Sequence, residues 1–142
     1  MISRIVCLIA TPRIRTECFS LKSAAPQFEA AVACAQKWAD AHFSLGAVYA
    51  RIDRVPDAMT ELDTTLSLTP DHYRGNLLRG RILSLQGNPL GALNNLEKAV
   101  QVQPESQEAH LFLADAYGQL GREADAQREQ AAARSAKPPA RN

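Results

Sequence analysis

A chain of 142 residues has the size of one domain, and at that length folding buries roughly two thirds of the unfolded surface, so a hydrophobic core is expected. Its 16 basic and 15 acidic residues give a formal charge of +1, which lacks the basic excess of proteins that contact many phosphates. The composition therefore predicts no nucleic-acid partner, and the length requires no second domain.

The N-terminal residues and the cysteines indicate the cellular compartment in which the protein is expected. The apolar run at residues 5–10 is shorter than the hydrophobic region of a secretory signal and far shorter than a membrane span. Cys7, Cys18 and Cys34 are odd in number and lack the spacing of zinc ligands or of a closed disulfide framework. We expect a cytoplasmic protein without a membrane span; the alternative is a degraded export signal.

The segment before residue 39 contains no complete repeat. Residues 1–23 include Pro12 and several basic side chains without a helical period, which predicts an irregular or disordered segment. The alternatives are that they fold over an exposed face or mark an altered start of a longer protein. Residues 24–38 resemble only the second helix of a repeat, and self-association through this helix is a further expectation. Its apolar side chains recur at helical spacing: Phe28, Ala31, Val32 and Ala35.

From residue 39 onwards the sequence repeats with a constant period, which brings Ala58 into register with Ala92 and then with Ala126. Each repeat has a small residue in its first half, a large side chain three positions later, an alanine in its second half and a proline near its end. The equivalent sets are Gly46, Gly80 and Ala114; Tyr49, Leu83 and Tyr117; Ala58, Ala92 and Ala126; and Pro70, Pro104 and Pro138. These columns define units at 39–72, 73–106 and 107–140.

Each unit has the pattern of a helix, a short turn and a second helix. In the first unit, apolar side chains recur at helical spacing up to Ile52, a turn follows at residues 53–55, and Pro56 suits the first turn of the next helix. Gly87 and Gly121 mark the corresponding turns of the other units.

The last predicted helix, residues 123–136, is rich in Ala, Arg, Glu and Gln. It has Gln130 where the earlier units have Leu62 and Leu96, and Arg134 where they have Leu66 or Val100. Because a solenoid needs a polar end, we interpret this helix as a cap.

The repeat columns resemble the tetratricopeptide signature over about 100 of the 142 residues. The matching residues are Leu45, Gly46, Tyr49, Ala58, Pro70, Gly80, Ala92, Ala99 and Pro104. This resemblance implies an all-α fold, a right-handed superhelical solenoid of helix-turn-helix repeats. It also implies a protein-interaction scaffold without catalysis, which binds a peptide or helix of a partner protein in a concave groove.

In this family the first helices of successive units line the groove, so the resemblance implies that their outward positions contact the partner. These positions are Phe43, Ala47, Arg51, Leu77, Leu78, Arg81, Leu85, Leu111, Phe112, Asp115 and Gln119. We expect Phe43, Leu77 and Leu111 to form an apolar strip. Arg81 and Asp115 are opposite charges that would fix the direction of a bound peptide.

Alternatives remain for these positions. Leu77, Leu78 and Phe112 could instead pack within or between units. A family subtype that clamps C-terminal carboxylates with Lys, Asn and Arg is not supported, because the matching places hold different residues. Those residues are Phe43, Ala47, Leu78, Glu108 and Phe112.

Two polar features interrupt the apolar pattern. Arg79 stands where the other units have Leu45 and Leu113, so its side chain either extends outward along its stem or has an acidic partner. His42 and His110 are two repeats apart, and we interpret them as copies of one packing position, not as a metal pair.

Patterns typical of catalysis are missing from the sequence. It contains no Ser/His/Asp or Cys/His arrangement, paired-carboxylate motif, P-loop or GxGxxG, and Asp57, Glu61 and Asp63 are most simply a solvated helix face. We therefore expect neither an enzyme nor a cofactor or metal site. The alternative function is a C-terminal docking or regulatory fragment of a larger multi-domain enzyme or of a secretion or assembly protein.

The substitution Ala92→Leu tests the repeat register. A larger side chain at this predicted helix contact would overpack it by roughly 1–3 kcal/mol. We expect the thermal midpoint, followed by circular dichroism, to fall by several degrees. An unchanged midpoint would contradict the assigned register.

Overall fold

The computed structural model describes residues 38–136, and within them the fold is all-α, with six helices and no strand. The helices are α1 (Ala39–Arg51), α2 (Val55–Leu68), α3 (Tyr73–Leu85), α4 (Pro89–Val102), α5 (Gln107–Gln119) and α6 (Glu123–Ser135). They form three packed hairpins, α1–α2, α3–α4 and α5–α6. The predicted segment 1–23, the partial repeat up to residue 37 and residues 137–140 of the third unit lie outside the described residues.

The chain divides into two compact units, Met1–Pro70 and Asp71–Asn142. Among the described residues, the first unit contains the hairpin α1–α2. The second contains the hairpins α3–α4 and α5–α6, and α5 packs against α4 as well as against α6. Within residues 38–136, no helix has the length and apolar character needed to cross a bilayer.

The three turns lie where the sequence predicts them. Asp53, Gly87 and Gly121 have positive φ angles of 62°, 76° and 71°, a conformation that glycine adopts freely and aspartate tolerates. Pro56 and Pro89 stand in the first turns of the helices that follow, where a missing N–H leaves no hydrogen bond unmade. Each turn therefore stops one helix and starts the next within a few residues.

The two helices of a hairpin approach closely at the glycine column. A Cβ atom built on Gly46 would lie 3.3 Å from the carbonyl oxygen of Ala58. On Gly80 it would lie 3.3 Å from the carbonyl oxygen of Ala92 and 2.6 Å from Cγ of Leu96, which is fully buried. Ala58 and Ala92 have no exposed surface. The approach is therefore tight at Gly46 and tightest at Gly80, where an added methyl group would collide with a leucine side chain and crowd the backbone of α4.

The third hairpin has an alanine where the other two have a glycine, and its packing explains the difference. Ala114 occupies the position of Gly80, and Gln130 occupies that of Leu96. Because the Gln130 side chain is exposed while Leu96 is completely buried, the third hairpin lacks the leucine that would collide with an added methyl group.

The four helices α3, α4, α5 and α6 share one hydrophobic core. Its buried members are Leu77, Ala92, Leu93, Leu96, Ala99, Ala109, Leu113, Ala116, Tyr117 and Ala126. At its edge the Tyr117 hydroxyl donates a hydrogen bond to Glu97 Oε1 at 2.8 Å, which links α5 to α4. Burial, together with this bond to a carboxylate, raises the pKa of Tyr117.

The substitution Gly80→Ala tests the close approach, with Gly118→Ala as its matched control on an open part of α5. The added methyl at residue 80 collides with a buried leucine, whereas at residue 118 it meets no atom within 4 Å. We expect Gly80→Ala to lower the free energy of unfolding by about 1 kcal/mol, despite the better helix propensity of alanine. Gly118→Ala should raise it by up to about 1 kcal/mol. Urea unfolding of both variants measures the difference, and equal effects would contradict the packing.

Candidate functional site

Side chains of α3 and α5 meet on one surface of the second compact unit. The Arg81 guanidinium lies over the Phe112 ring, 5.3 Å from its centre. Gln119 Nε2 donates hydrogen bonds of 2.8 Å to Ser84 Oγ and to Asp115 Oδ2. The Ser84 hydroxyl lies 3.4 Å from the same Asp115 oxygen. These contacts hold polar groups of the two helices together.

Two exposed leucines border this polar cluster. Leu85 is 78% exposed and follows Arg81 by four residues, while Leu111 is 48% exposed and precedes Asp115 by four. Residues four apart share one side of a helix, so apolar and charged groups stand side by side. We call this region the α3–α5 surface; it comprises Arg81, Ser84, Leu85, Leu111, Phe112, Asp115 and Gln119.

The predicted apolar strip is wrong for two of its three members. Phe43 is 6% and Leu77 8% exposed, and only Leu111 presents substantial surface. Leu77 and Leu111 are equivalent in sequence, but Leu77 belongs to the core that the following hairpin completes. Phe112 also packs against that core, in agreement with the packing alternative.

The remaining predicted positions differ in exposure. On α3, Leu78 is half-buried. On α1, which belongs to the first compact unit, Ala47 is half-buried and Arg51 is exposed. Ser84 was missed by sequence reasoning, although it precedes the predicted Leu85 and contacts two other predicted positions.

A polar pair bridges the two helices of every hairpin. Nδ1 of His42 lies 2.8 Å from Glu61 Oε2, and Nδ1 of His110 lies 2.7 Å from Glu129 Oε2. Both histidines are 7% exposed, which confirms their interpretation as packing positions. Sequence reasoning missed their glutamate partners, because it assigned Glu61 to a solvated face. The sequence signal for these partners was the constant separation of 19 residues between each histidine and its glutamate.

The middle hairpin has two asparagines at the same positions. Asn95 Nδ2 donates to Asn76 Oδ1 at 3.0 Å, and Asn76 Nδ2 donates to the His72 carbonyl at 3.1 Å. Arg79 Nη1 donates to Asn95 Oδ1 at 2.8 Å. This amide contact was not among the predicted alternatives for Arg79. It provides a hydrogen-bond partner for Arg79, a half-buried residue at a position that is apolar in the other units.

The polar groups of the second compact unit differ in how far they are exposed. Residues 38–136 contain no group of three side chains that could hold a metal ion. The imidazole and carboxylate groups of the polar pairs are engaged with each other across a hairpin, whereas Arg81, Asp115 and Gln119 are exposed. The α3–α5 surface therefore combines exposed charged, hydrogen-bonding and apolar side chains.

The substitution Asn95→Leu tests the polar pair of the middle hairpin. It removes a hydrogen-bond partner of both Asn76 and Arg79, so we expect the free energy of unfolding to fall by roughly 1–3 kcal/mol. Asn94→Leu, at the exposed neighbouring position, should change it by less than about 0.5 kcal/mol. Asn76→His with Asn95→Glu installs the pair of the other hairpins and should recover most of the loss. Chemical denaturation of all three variants checks this, and a neutral Asn95→Leu would contradict it.

Comparison with known proteins supports the fold. A tetratricopeptide repeat family model matches residues 83–141. No curated protein sequence matches the chain.

Similar solved structures include the crystal structure of MamA, with a TM-score of 0.76 and 20% identity over 81% of this chain and 67% of that one. MamA from residue 41 to its end, from Desulfovibrio magneticus RS-1, gives a TM-score of 0.77 and 20% identity over 96% of this chain and 75% of that one. Another MamA crystal structure gives a TM-score of 0.75 and 20% identity, over 81% of this chain and 63% of that one.

At 20% identity these likenesses establish the fold. They lend no support to the alternative of a docking fragment of a larger enzyme or secretion protein. The fold is typical of protein-interaction scaffolds that carry no catalytic activity. The predicted resemblance is confirmed by the tetratricopeptide repeat model that matches residues 83–141, and the described residues share the all-α repeat fold of these structures.

Proposed function

We propose that this protein is a scaffold without catalysis, which binds a peptide or helix of a partner protein on the α3–α5 surface. The observation that carries the proposal is the mixture of exposed groups on two neighbouring helices. Leu85 and Leu111 supply apolar area, and Arg81 and Asp115 supply opposite charges. Such a mixture suits an amphipathic segment more than a uniformly charged or uniformly apolar one.

The apolar side chains would provide most of the affinity. Complete burial of a leucine side chain contributes about 1.5–3 kcal/mol, whereas an exposed ion pair contributes at most about 1 kcal/mol. Leu85 has more surface to lose than Leu111, since it is 78% exposed. Leu85 is therefore the principal anchor of the proposed site.

The charged side chains would set the direction of the bound segment. The Arg81 guanidinium rests on the Phe112 ring, and Asp115 is held by Gln119. Because these contacts already restrict both side chains, they lose less conformational entropy when a partner binds. A segment with a carboxylate near α3 and a cation near α5 would match them in one direction only.

Binding of the full chain to an array of 15-residue peptides tests the proposal. We expect Leu85→Glu or Arg81→Glu to weaken the peptides bound by the wild type, with a loss of about tenfold for Leu85→Glu. Leu90→Glu is the matched control, since Leu90 is 70% exposed but lies on α4. Circular dichroism should show unchanged helicity in all three variants.

The array also separates this surface from others. Equal binding by the wild type and the Leu85→Glu variant, or selective loss in Leu90→Glu, would contradict the proposal. Leu77 is not a suitable test position, because its side chain is buried and a glutamate there would destabilise the fold.

A further inference from the structure

Among residues 38–136, no helix covers the face of the last hairpin that α5 and α6 form on the side away from α4. A cleft of about 300 Å³ lies between the two helices, with small side chains on its floor and polar ones at its rim. We call it the terminal face; its lining residues are Gln107, Leu111, Ala114, Asp115, Gln130, Ala133 and Arg134. Ala114 and Ala133 are 4% and 2% exposed and lie at the floor, where their short side chains leave room for a helix above them.

The same face exists one repeat earlier, where it is covered. The equivalent positions on the preceding hairpin are Tyr73, Leu77, Gly80, Arg81, Leu96, Ala99 and Val100. Leu77, Leu96 and Ala99 belong to the core, and Tyr73 and Val100 pack against it. The covering element is α5, which contributes Ala109, Leu113 and Ala116. The fold itself thus shows that a single helix fits this kind of face.

The rim indicates which helix would fit the terminal face. Arg134 replaces Val100, Gln130 replaces Leu96 and Asp115 replaces Arg81. A wholly apolar helix would remove the charges of Arg134 and Asp115 from water without replacing their solvation, which is unfavourable. The occupant must therefore carry polar groups opposite the rim.

The helix directions place these groups along the occupant. Because α5 and α6 are joined by a short turn, Arg134 lies towards the beginning of α5, and Asp115 lies towards its end. A helix seated parallel to α5 would meet Arg134 with its first turns and Asp115 with its later ones. An acidic start and a basic end are also favoured by the helix dipole.

We propose that the terminal face binds one amphipathic helix of a partner protein, parallel to α5, with small or apolar side chains over Ala114 and Ala133 and a carboxylate opposite Arg134. The helix takes the place that α5 occupies on the preceding hairpin. This site differs from the α3–α5 surface, with which it shares Leu111 and Asp115.

A peptide with the sequence of residues 38–52 is a suitable probe, because α1 carries Asp40 in its first turn and Arg51 in its last. Its comparison peptide has Asp40→Arg. Titration into the ¹⁵N-labelled full chain should shift the amide signals of Ala133 and Arg134. The parent peptide should bind about fivefold more tightly than the comparison peptide, as expected for one surface charge pair.

Charge-reversal variants of the chain test the same contact from the other side. Arg134→Asp should reverse the preference between the two peptides. Arg128→Asp changes the net charge of the chain equally at another exposed position of α6 and should leave the preference intact.

Three results would overturn the proposal. Signals that shift only at Arg81 and Leu85 would place the peptide on the α3–α5 surface. Undisturbed signals would show that the terminal face is a solvated cap. Concentration-dependent association of the chain that is lost in Arg134→Asp would identify a second copy as the occupant.

Discussion

The close approach of two helices at one small residue in each is the contact on which the described fold depends. At Gly80, the backbone of α4 and the buried Leu96 leave no room for a methyl group. Since the two helices of each hairpin pack over most of their length, a separation at this point would loosen the whole hairpin. In the second compact unit, the same contact sets the position of the surface against which α5 packs.

The middle hairpin differs in chemistry from its neighbours. In the outer hairpins a histidine pairs with a glutamate, and an arginine stacks on a tyrosine, Arg54 on Tyr49 at 4.4 Å and Arg122 on Tyr117 at 4.5 Å. The middle hairpin has asparagines at the paired positions and Leu83 at the tyrosine position. It also supplies Arg81 and Leu85 to the α3–α5 surface. The substitutions that break the repeat pattern are thus concentrated in the hairpin with the most prominent exposed leucine.

The sequence predicted the positions set by backbone contact and failed where burial depends on a neighbouring element. Small residues and turns recur once in every repeat, so the helix pairs and the turn at Gly87 were predictable. Leu77 and Leu111 hold one sequence position but differ from 8% to 48% in exposure, because a further hairpin covers only Leu77. The repeat period alone does not show which helix face is covered by a further hairpin. The histidine–glutamate pairs could have been predicted from the sequence, since the histidine and the glutamate of each pair are 19 residues apart.

Amide hydrogen exchange on the full chain, resolved residue by residue, tests the central claim most directly. If the small-residue contacts stabilise the hairpins, the amides of the residues around Gly80 and Ala92 should exchange most slowly and with similar free energies of opening. Protection should decrease towards the ends of α3 and α4. Fast exchange at these residues, or opening of α3 independently of α4, would contradict the account.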